Sequence, residues 1–192
     1  METSDNELLA EYLSGSDEAL HVLIKRYLKP IYHFTYRLCG NKGDAEDITQ
    51  ETFIKLWQHA EKFHLKENFK TWIFTIAHRS TIDLLRKKKR FVFSDFDQDS
   101  TNSTFADSLA DEEPLPDILF AKAEEKVLLE SLVQQLPTMH REVLHLYYSE
   151  LLTFDEIGKV LGKSLNTVKS QHRRALLTLK KLLTEIENKN AT

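Results

Sequence analysis

The chain has 192 residues, which at about 150 residues per domain leaves room for one domain or two small ones. Charged residues make up 29% and the hydrophobic set 41%, enough apolar material for a core beneath a heavily charged surface. The single cysteine, Cys39, excludes an intramolecular disulfide and a thiolate-held structural zinc; with no apolar run near the roughly 18 residues of a membrane span and no signal-peptide start, the sequence reads as cytoplasmic.

A net charge of −4 hides an uneven distribution. Residues 1–90 carry 15 basic and 13 acidic side chains, 91–125 carry 1 and 10, and 126–192 carry 10 and 7. Two mildly basic blocks therefore flank an acidic spacer. Glycine (5) and proline (4) are scarce, and apolar residues recur at three and four rather than at alternate positions, which predicts an all-α fold.

The first predicted helix carries Leu20, Leu23, Ile24, Tyr27, Ile31, Phe34, Thr35 and Leu38 as its apolar stripe, and Gly40, Asn41 and Gly43 end it. Asp44 is placed to cap the next helix, which directs Ala45, Ile48, Thr52, Phe53, Leu56 and Trp57 inward. The opposite face collects Asp47, Glu51, Ile54 and Gln58 with Gln50 at its edge, and an apolar residue among carboxylates and amides marks a candidate protein contact. His59 to Asn68 read as a loop.

A further helix, predicted from about Phe69 to Arg90, buries Phe69, Trp72, Ile73, Ile76 and Ala77. Arg79, Arg86, Lys87, Lys88, Lys89 and Arg90 follow, opposed only by Asp83. Aromatic rings beside cations suit single-stranded nucleic acid, whose bases stack while the backbone follows the positive charge. From Phe91 to Pro116 the periodicity disappears and the composition is that of a linker, with Phe91, Phe93, Phe96 and Phe105 as unusual aromatics within it.

Helical periodicity returns near Leu119 and runs to Leu136. Thr153 to Glu156 form a capping box, opening a helix that carries Ile157, Val160 and Leu161 and stops at Gly162, which tolerates a left-handed turn. Ser164 caps the next helix. There Leu165, Val168, Ala175, Leu179 and Leu182 fall on one side, while Asn166, Ser170 and Arg173 fall opposite, flanked by Thr167, Lys169 and Arg174. Helix, glycine turn and a second helix with a polar outer face form the helix-turn-helix arrangement. A solvated helical hairpin has the same periodicity but normally mixes charge signs. From Lys159 to Lys181 there are seven basic residues and no acidic one, a pattern that suits phosphate.

Asp44-Ala-Glu-Asp-Ile-Thr-Gln-Glu-Thr-Phe-Ile-Lys-Leu-Trp57, Phe69-Lys-Thr-Trp-Ile-Phe-Thr-Ile-Ala77 with Asp83 and Arg86, Leu136-Pro137, Arg141-Glu-Val-Leu144, Leu152-Thr-Phe-Asp-Glu-Ile157 and Thr167-Val-Lys-Ser170 together resemble bacterial RNA polymerase sigma factors of the extracytoplasmic-function group. The resemblance covers about Leu20 to Leu183. It implies a region 2-like domain over residues 1–90, an acidic flexible linker over 91–118 resembling the segment that threads the RNA exit path, and a region 4-like domain over 119–192.

On that resemblance Asp47, Gln50, Glu51, Ile54 and Gln58 look like a surface for core RNA polymerase. Lys70, Trp72, His78, Arg79, Arg86, Lys87 and Arg90 look like the group that recognises the promoter −10 element and holds the opened non-template strand. Asn166, Thr167, Lys169, Ser170, Arg173 and Arg174 look like the readers of −35 duplex. The implied partners are core polymerase, promoter DNA and an anti-sigma factor, with no membrane insertion, cofactor, metal or catalytic residue. Two departures stand out: Ala77-His78-Arg79 replaces the usual Ala-Arg-Asn, and His172 falls near the apolar stripe where leucine is usual, which predicts packing rather than DNA contact.

An enzyme is disfavoured by the lack of a glycine-rich phosphate loop and of paired histidines at ligand spacing, since His59 with His64 and His140 with His145 are five apart. The serious rival is an autonomous helix-turn-helix regulator that binds an operator as a dimer. It accounts for the C-terminal block but not for the basic-aromatic helix or the carboxylate-amide face. A structural helical adaptor accounts for neither basic block.

Overall fold

The computed structural model describes residues 3–64, 67–95 and 123–190, and every regular element among them is helical. The chain divides between residues 103 and 104 into two compact units. The first holds α1 (Asp5–Leu13), α2 (Asp17–Cys39), α3 (Lys42–His59), a 3-10 turn at Ala60–Lys62 and α4 (Phe69–Asp95). The second holds α5 (Ala123–Gln134), α6 (Thr138–Tyr148), α7 (Phe154–Leu161) and α8 (Leu165–Asn190). The acidic spacer beyond Asp95, the aromatics Phe96 and Phe105 within it, and the helical onset read near Leu119 lie outside the described residues.

Helix α1 is not anticipated by the apolar period. Its signal is Ser4 with Glu7, a capping box in which the Ser4 hydroxyl accepts from the Glu7 N–H and the Glu7 carboxylate accepts from the Ser4 N–H. Leu8 and Leu9 are buried, each contributing about 1.5–3 kcal/mol by leaving water. Asp5 adds contacts to the Arg26 guanidinium and the Tyr27 hydroxyl of α2. Helix α2 buries Leu23, Tyr27, Ile31, Phe34 and Thr35, continues through Pro30, and ends at Gly40 with φ 69°, a conformation that favours glycine.

Helix α3 begins earlier than expected. Asn41, not Asp44, is its cap, and the Asn41 side chain accepts from the Asp44 N–H at 3.0 Å. Asp44 instead meets Lys88 of α4, with its carboxylate 2.6 Å from Nζ. The stretch expected to be a loop contains the 3-10 turn and buries Ala60 and Phe63.

Helix α4 also departs from expectation, running to Asp95 rather than stopping at Arg90. The apolar stripe fades where burial ends. No proline or glycine stops the backbone there, so the first five residues assigned to the linker are helical. In the second unit, Leu132, Leu136, Leu144, Ala175 and Leu179 form a buried cluster joined by Leu182, Leu183 and Ile186. Helix α8 therefore serves twice, its N-terminal part against α7 and its C-terminal part against α5.

Candidate nucleic-acid interface

In the first unit, α3 and α4 pack together and turn different faces to solvent. Asp47, Gln50, Glu51, Ile54 and Gln58 of α3 are all exposed. Glu51 is not a bare charge, because its carboxylate lies 2.6 Å from Lys55 Nζ. Lys55 in turn donates to the Ser80 hydroxyl at 2.9 Å, so the pair ties the face to α4. Trp57 overturns the inward expectation: it is 62% exposed, and Ile54 is 52% exposed. At 100° per residue Gln50, Ile54 and Trp57 form one row, so the face carries more apolar surface than the sequence period suggests.

On α4 the sequence candidates separate. Trp72, Arg79 and Arg86 recur every seven residues and so share a row, about 10.5 Å between neighbours. Arg79, Arg86 and Lys87 are exposed. The Arg86 guanidinium makes only a 3.9 Å approach to Asp83 and keeps a side-chain exposure of 74%. Lys70 and His78 are half-buried and lie off this row, His78 with its ring 6.5 Å from Phe34. Arg90 belongs to α4, but its side chain lies outside the described residues.

Trp72 is half-buried, with its ring 4.9 Å from Phe63 and 6.0 Å from Phe69. Phe69 also meets Tyr27 edge-on at 5.4 Å. Trp72 thus closes an aromatic cluster at the start of the helix while the cations follow along the same row. The helix start is capped by Asn68, whose side chain accepts from the Thr71 N–H at 3.2 Å.

In the second unit the capping box at Thr153 is formed, with the Glu156 carboxylate accepting from the Thr153 N–H at 2.8 Å. Gly162 takes φ 64°. Gly158 is needed for another reason: a Cβ there would lie 2.8 Å from the Lys163 carbonyl oxygen, so the turn between α7 and α8 closes directly over it. Ser164 caps α8 by accepting from the Thr167 N–H at 3.2 Å.

Asn166, Thr167, Lys169, Ser170, Arg173 and Arg174 are all exposed on α8. The Thr167 hydroxyl is engaged with that of Ser164 at 2.8 Å, so Thr167 serves the cap as well as the surface. Leu165, placed inward by the period, is the first residue of α8 and is 40% exposed; Leu177 continues the outer row and is 58% exposed. The basic run is tempered at one end, where Lys159 Nζ lies 2.9 Å from the Asp155 carboxylate.

His172 packs, as its position predicts. Its ring lies 4.9 Å from Tyr147, 5.7 Å from Tyr148 and 5.1 Å from Phe154. Its Nε2 is buried without a hydrogen-bond partner, and burial pushes its pKa below the usual histidine value. The neutral ring is therefore a wedge between α6, α7 and α8. Burial likewise lowers His140, helped by the positive charges of Arg174 and Lys163, and raises the Glu142 carboxyl. Gln171, which the apolar period does not single out, is buried and accepts from Lys163 Nζ at 3.3 Å. Among the described residues no group of three or more His, Cys, Asp or Glu is arranged to hold a metal ion, and no helix is long and apolar enough to cross a membrane.

Comparison with known proteins follows the same division. Residues 23–91 match the model of sigma-70 region 2, and residues 132–181 match that of sigma-70 region 4. The ECF RNA polymerase sigma factor SigW of Bacillus subtilis (strain 168) is 30% identical over 187 residues, covering 97% of this chain and 100% of that protein. The ECF RNA polymerase sigma factor SigE of Mycolicibacterium smegmatis is 28% identical over 169 residues, covering 88% of this chain and 63% of that one. Among solved structures, CnrH in complex with the cytosolic domain of CnrY superposes with a TM-score of 0.64 at 23% identity, covering 95% of this chain and 99% of that one. RpoE of Bartonella quintana, in complex with the anti-sigma factor NepR, gives 0.63 at 21% identity, covering 85% and 96%.

Proposed function

The chain belongs to the extracytoplasmic-function group of RNA polymerase sigma factors, transcription initiation factors that direct polymerase to promoters, and we propose how its surfaces divide that work. Residues 1–90 with the remainder of α4 to Asp95 act as the region 2 domain, the residues from there to 118 as the linker and 119–192 as the region 4 domain. The α3 face of Asp47, Gln50, Glu51, Ile54 and Gln58, with Trp57 added, docks on core polymerase. The α4 row of Trp72, Arg79 and Arg86, with Lys87 beside it, holds the opened non-template strand at the −10 element. Lys70 and His78 support that helix from off the row, and Arg90 extends its basic end.

The outer face of α8 reads −35 duplex. Asn166, Lys169, Ser170 and Arg173 supply base and phosphate contacts, Arg174 flanks them, and Thr167 fixes the helix start. The factor acts by binding rather than by catalysis, in the cytoplasm. An anti-sigma factor is its natural antagonist, in keeping with the NepR complex of the Bartonella RpoE.

One observation carries this reading. A single chain exposes an acidic-amide face with two large apolar residues in one unit and, in the other, a helix-turn-helix whose second helix presents an acid-free basic face from Asn166 to Arg174. A dimeric operator binder needs only the second. The two readings differ in how DNA binding depends on polymerase. Two small modules on a tether have a low effective concentration toward each other's sites until a third body fixes their spacing. The isolated chain is expected to bind promoter duplex nonspecifically, at about 10⁻⁴–10⁻⁶ M; core polymerase should convert this to specific binding with strand opening. Gel shift and permanganate footprinting with and without core enzyme test it. Tight, specific binding by the chain alone, with no polymerase-dependent opening, would establish the operator-binding regulator instead.

A further inference from the structure

Helix α1 precedes the residues matched by the region 2 model, which begin at residue 23, yet it reaches the start of the strand-binding helix. Asn6 Nδ2 donates to the Glu67 carbonyl at 2.8 Å, and the Phe69 N–H donates to Asn6 Oδ1 at 3.2 Å. One amide side chain thus holds both faces of the backbone leading into α4.

The need for it is physical. The first N–H groups of a helix have no partner within that helix. Asn68 supplies one locally, for Thr71, and that of Phe69 is met from elsewhere in the fold. Asn6 supplies that one from 63 residues away. The helix that carries Asn6 is itself held on several sides: by its capping box, by the buried Leu8 and Leu9, and by Asp5 against Arg26 and Tyr27. Asn6 therefore works from a fixed base.

What it fixes is the aromatic cluster. Phe69 packs against Tyr27, Phe63 and Trp72, and Trp72 heads the row that runs through Arg79 and Arg86. A change in the backbone from Glu67 to Phe69 would tilt Phe69 and move Trp72 with it.

We propose that Asn6 is a positioning residue for −10 recognition, holding the entry of α4 so that the aromatic cluster and the basic row meet the opened strand in a single geometry. The proposal rests on the reading of α4 as the strand-binding helix. It assigns a part of promoter specificity to a residue outside the matched region 2 segment.

A promoter library randomised at both the −10 and −35 elements, transcribed by core polymerase with the full-length chain, tests it. The wild-type chain should select a defined sequence at each element. Asn6→Ala should keep the −35 preference and flatten the −10 preference, the ratio of favoured to next-best base falling by about threefold to tenfold for the loss of two hydrogen bonds. Asn6→Asp keeps an acceptor for Phe69 but no donor for Glu67, so it should fall between the two. It also carries the test alone if Asn6→Ala does not fold. Ile48→Ala, at a buried α3 position outside the anchoring of α1 described above, serves as the comparison, lowering stability and total transcript while leaving both preferences intact. An unchanged −10 preference in the Asn6 variants, or equal flattening by Ile48→Ala, would overturn the proposal while the sigma-factor reading stood. A wild-type chain that selected neither element would bring down both.

Discussion

Replacing Trp57 by alanine separates burial from function more sharply than any other change in the first unit. The helical period places Trp57 inward beside Leu56, whereas the structure leaves it 62% exposed and Leu56 1% exposed. A buried tryptophan truncated to alanine costs about 3–5 kcal/mol and a buried leucine about 2–5 kcal/mol. An exposed side chain clear of caps and ion pairs costs within about ±0.5 kcal/mol. Trp57→Ala should therefore leave the urea midpoint nearly unchanged, and Leu56→Ala should lower it markedly.

Polymerase capture should show the opposite order. Trp57 stands in a row with Ile54 and Gln50, and a tryptophan near the centre of an interface commonly contributes 2 kcal/mol or more, which corresponds to roughly a thirtyfold loss of affinity. Titration of the labelled full-length chain with core enzyme, followed by anisotropy, measures this directly. Intrinsic fluorescence adds a second reading, because docking should shield Trp57 while Trp72 keeps its packed environment. A large loss of stability with undiminished capture would refute both the exposed placement and the docking role.

Two further outcomes concern the helix-turn-helix. Gly158→Ala should gain about 0.5–1 kcal/mol of helix preference but lose about 1–3 kcal/mol to the 2.8 Å approach of its Cβ to the Lys163 carbonyl oxygen. Its denaturation midpoint should fall, whereas Gly43→Ala, whose Cβ would meet only the Asn41 side chain at 3.4 Å, should not; a stabilised Gly158→Ala would contradict the close turn. Stability should also fall as the pH drops below about 6.5, the unfolded histidine value. His140 and His172 have depressed pKa values in the fold, so the unfolded chain binds more protons in that window and gains on the native one. The raised Glu142 carboxyl acts in the opposite sense, losing its contribution as the pH rises through its folded pKa. His172→Phe should flatten the histidine part of the slope in urea midpoints taken from pH 5 to 8, and an unaltered slope would exclude His172 as a source.

What the sequence makes legible follows from how local each signal is. Charge sign and helical angle are properties of a short segment, so the outward placement of Asn166, Lys169, Ser170 and Arg173 is readable before any packing is known. The capping box at Thr153 is equally local, and so is the one at Ser4, although the short apolar content of α1 hides it from a search by period. Burial at the margin of a stripe is different. Trp57 and Leu165 both sit where the angle alone leaves either outcome open, and the neighbouring helix decides. In each case a large apolar residue stays in solvent. Trp72 is the converse, partly covered because Phe63, from a stretch without helical period, folds back against it.

Contacts between distant residues are the least legible of all. Nothing near Asn6 in the chain announces that its amide will hold Glu67 and Phe69, at separations of 61 and 63 residues. Nothing near Asp44 announces Lys88, 44 residues on. Both contacts bear on α4, at its start and toward its basic end. They show why the composition of that helix reveals its basic and aromatic character but not the arrangement of those side chains. The cations are readable as a list, whereas the contacts that hold the helix at its start and toward its basic end come from α1 and α3. Lys88 is the clearest instance. The sequence counts it among six cations, yet its ammonium is turned toward Asp44 and held as part of the fold. The sequence count of cations on α4 therefore overstates what is left to its surface, while Arg79 and Arg86 remain exposed on the row that Trp72 begins.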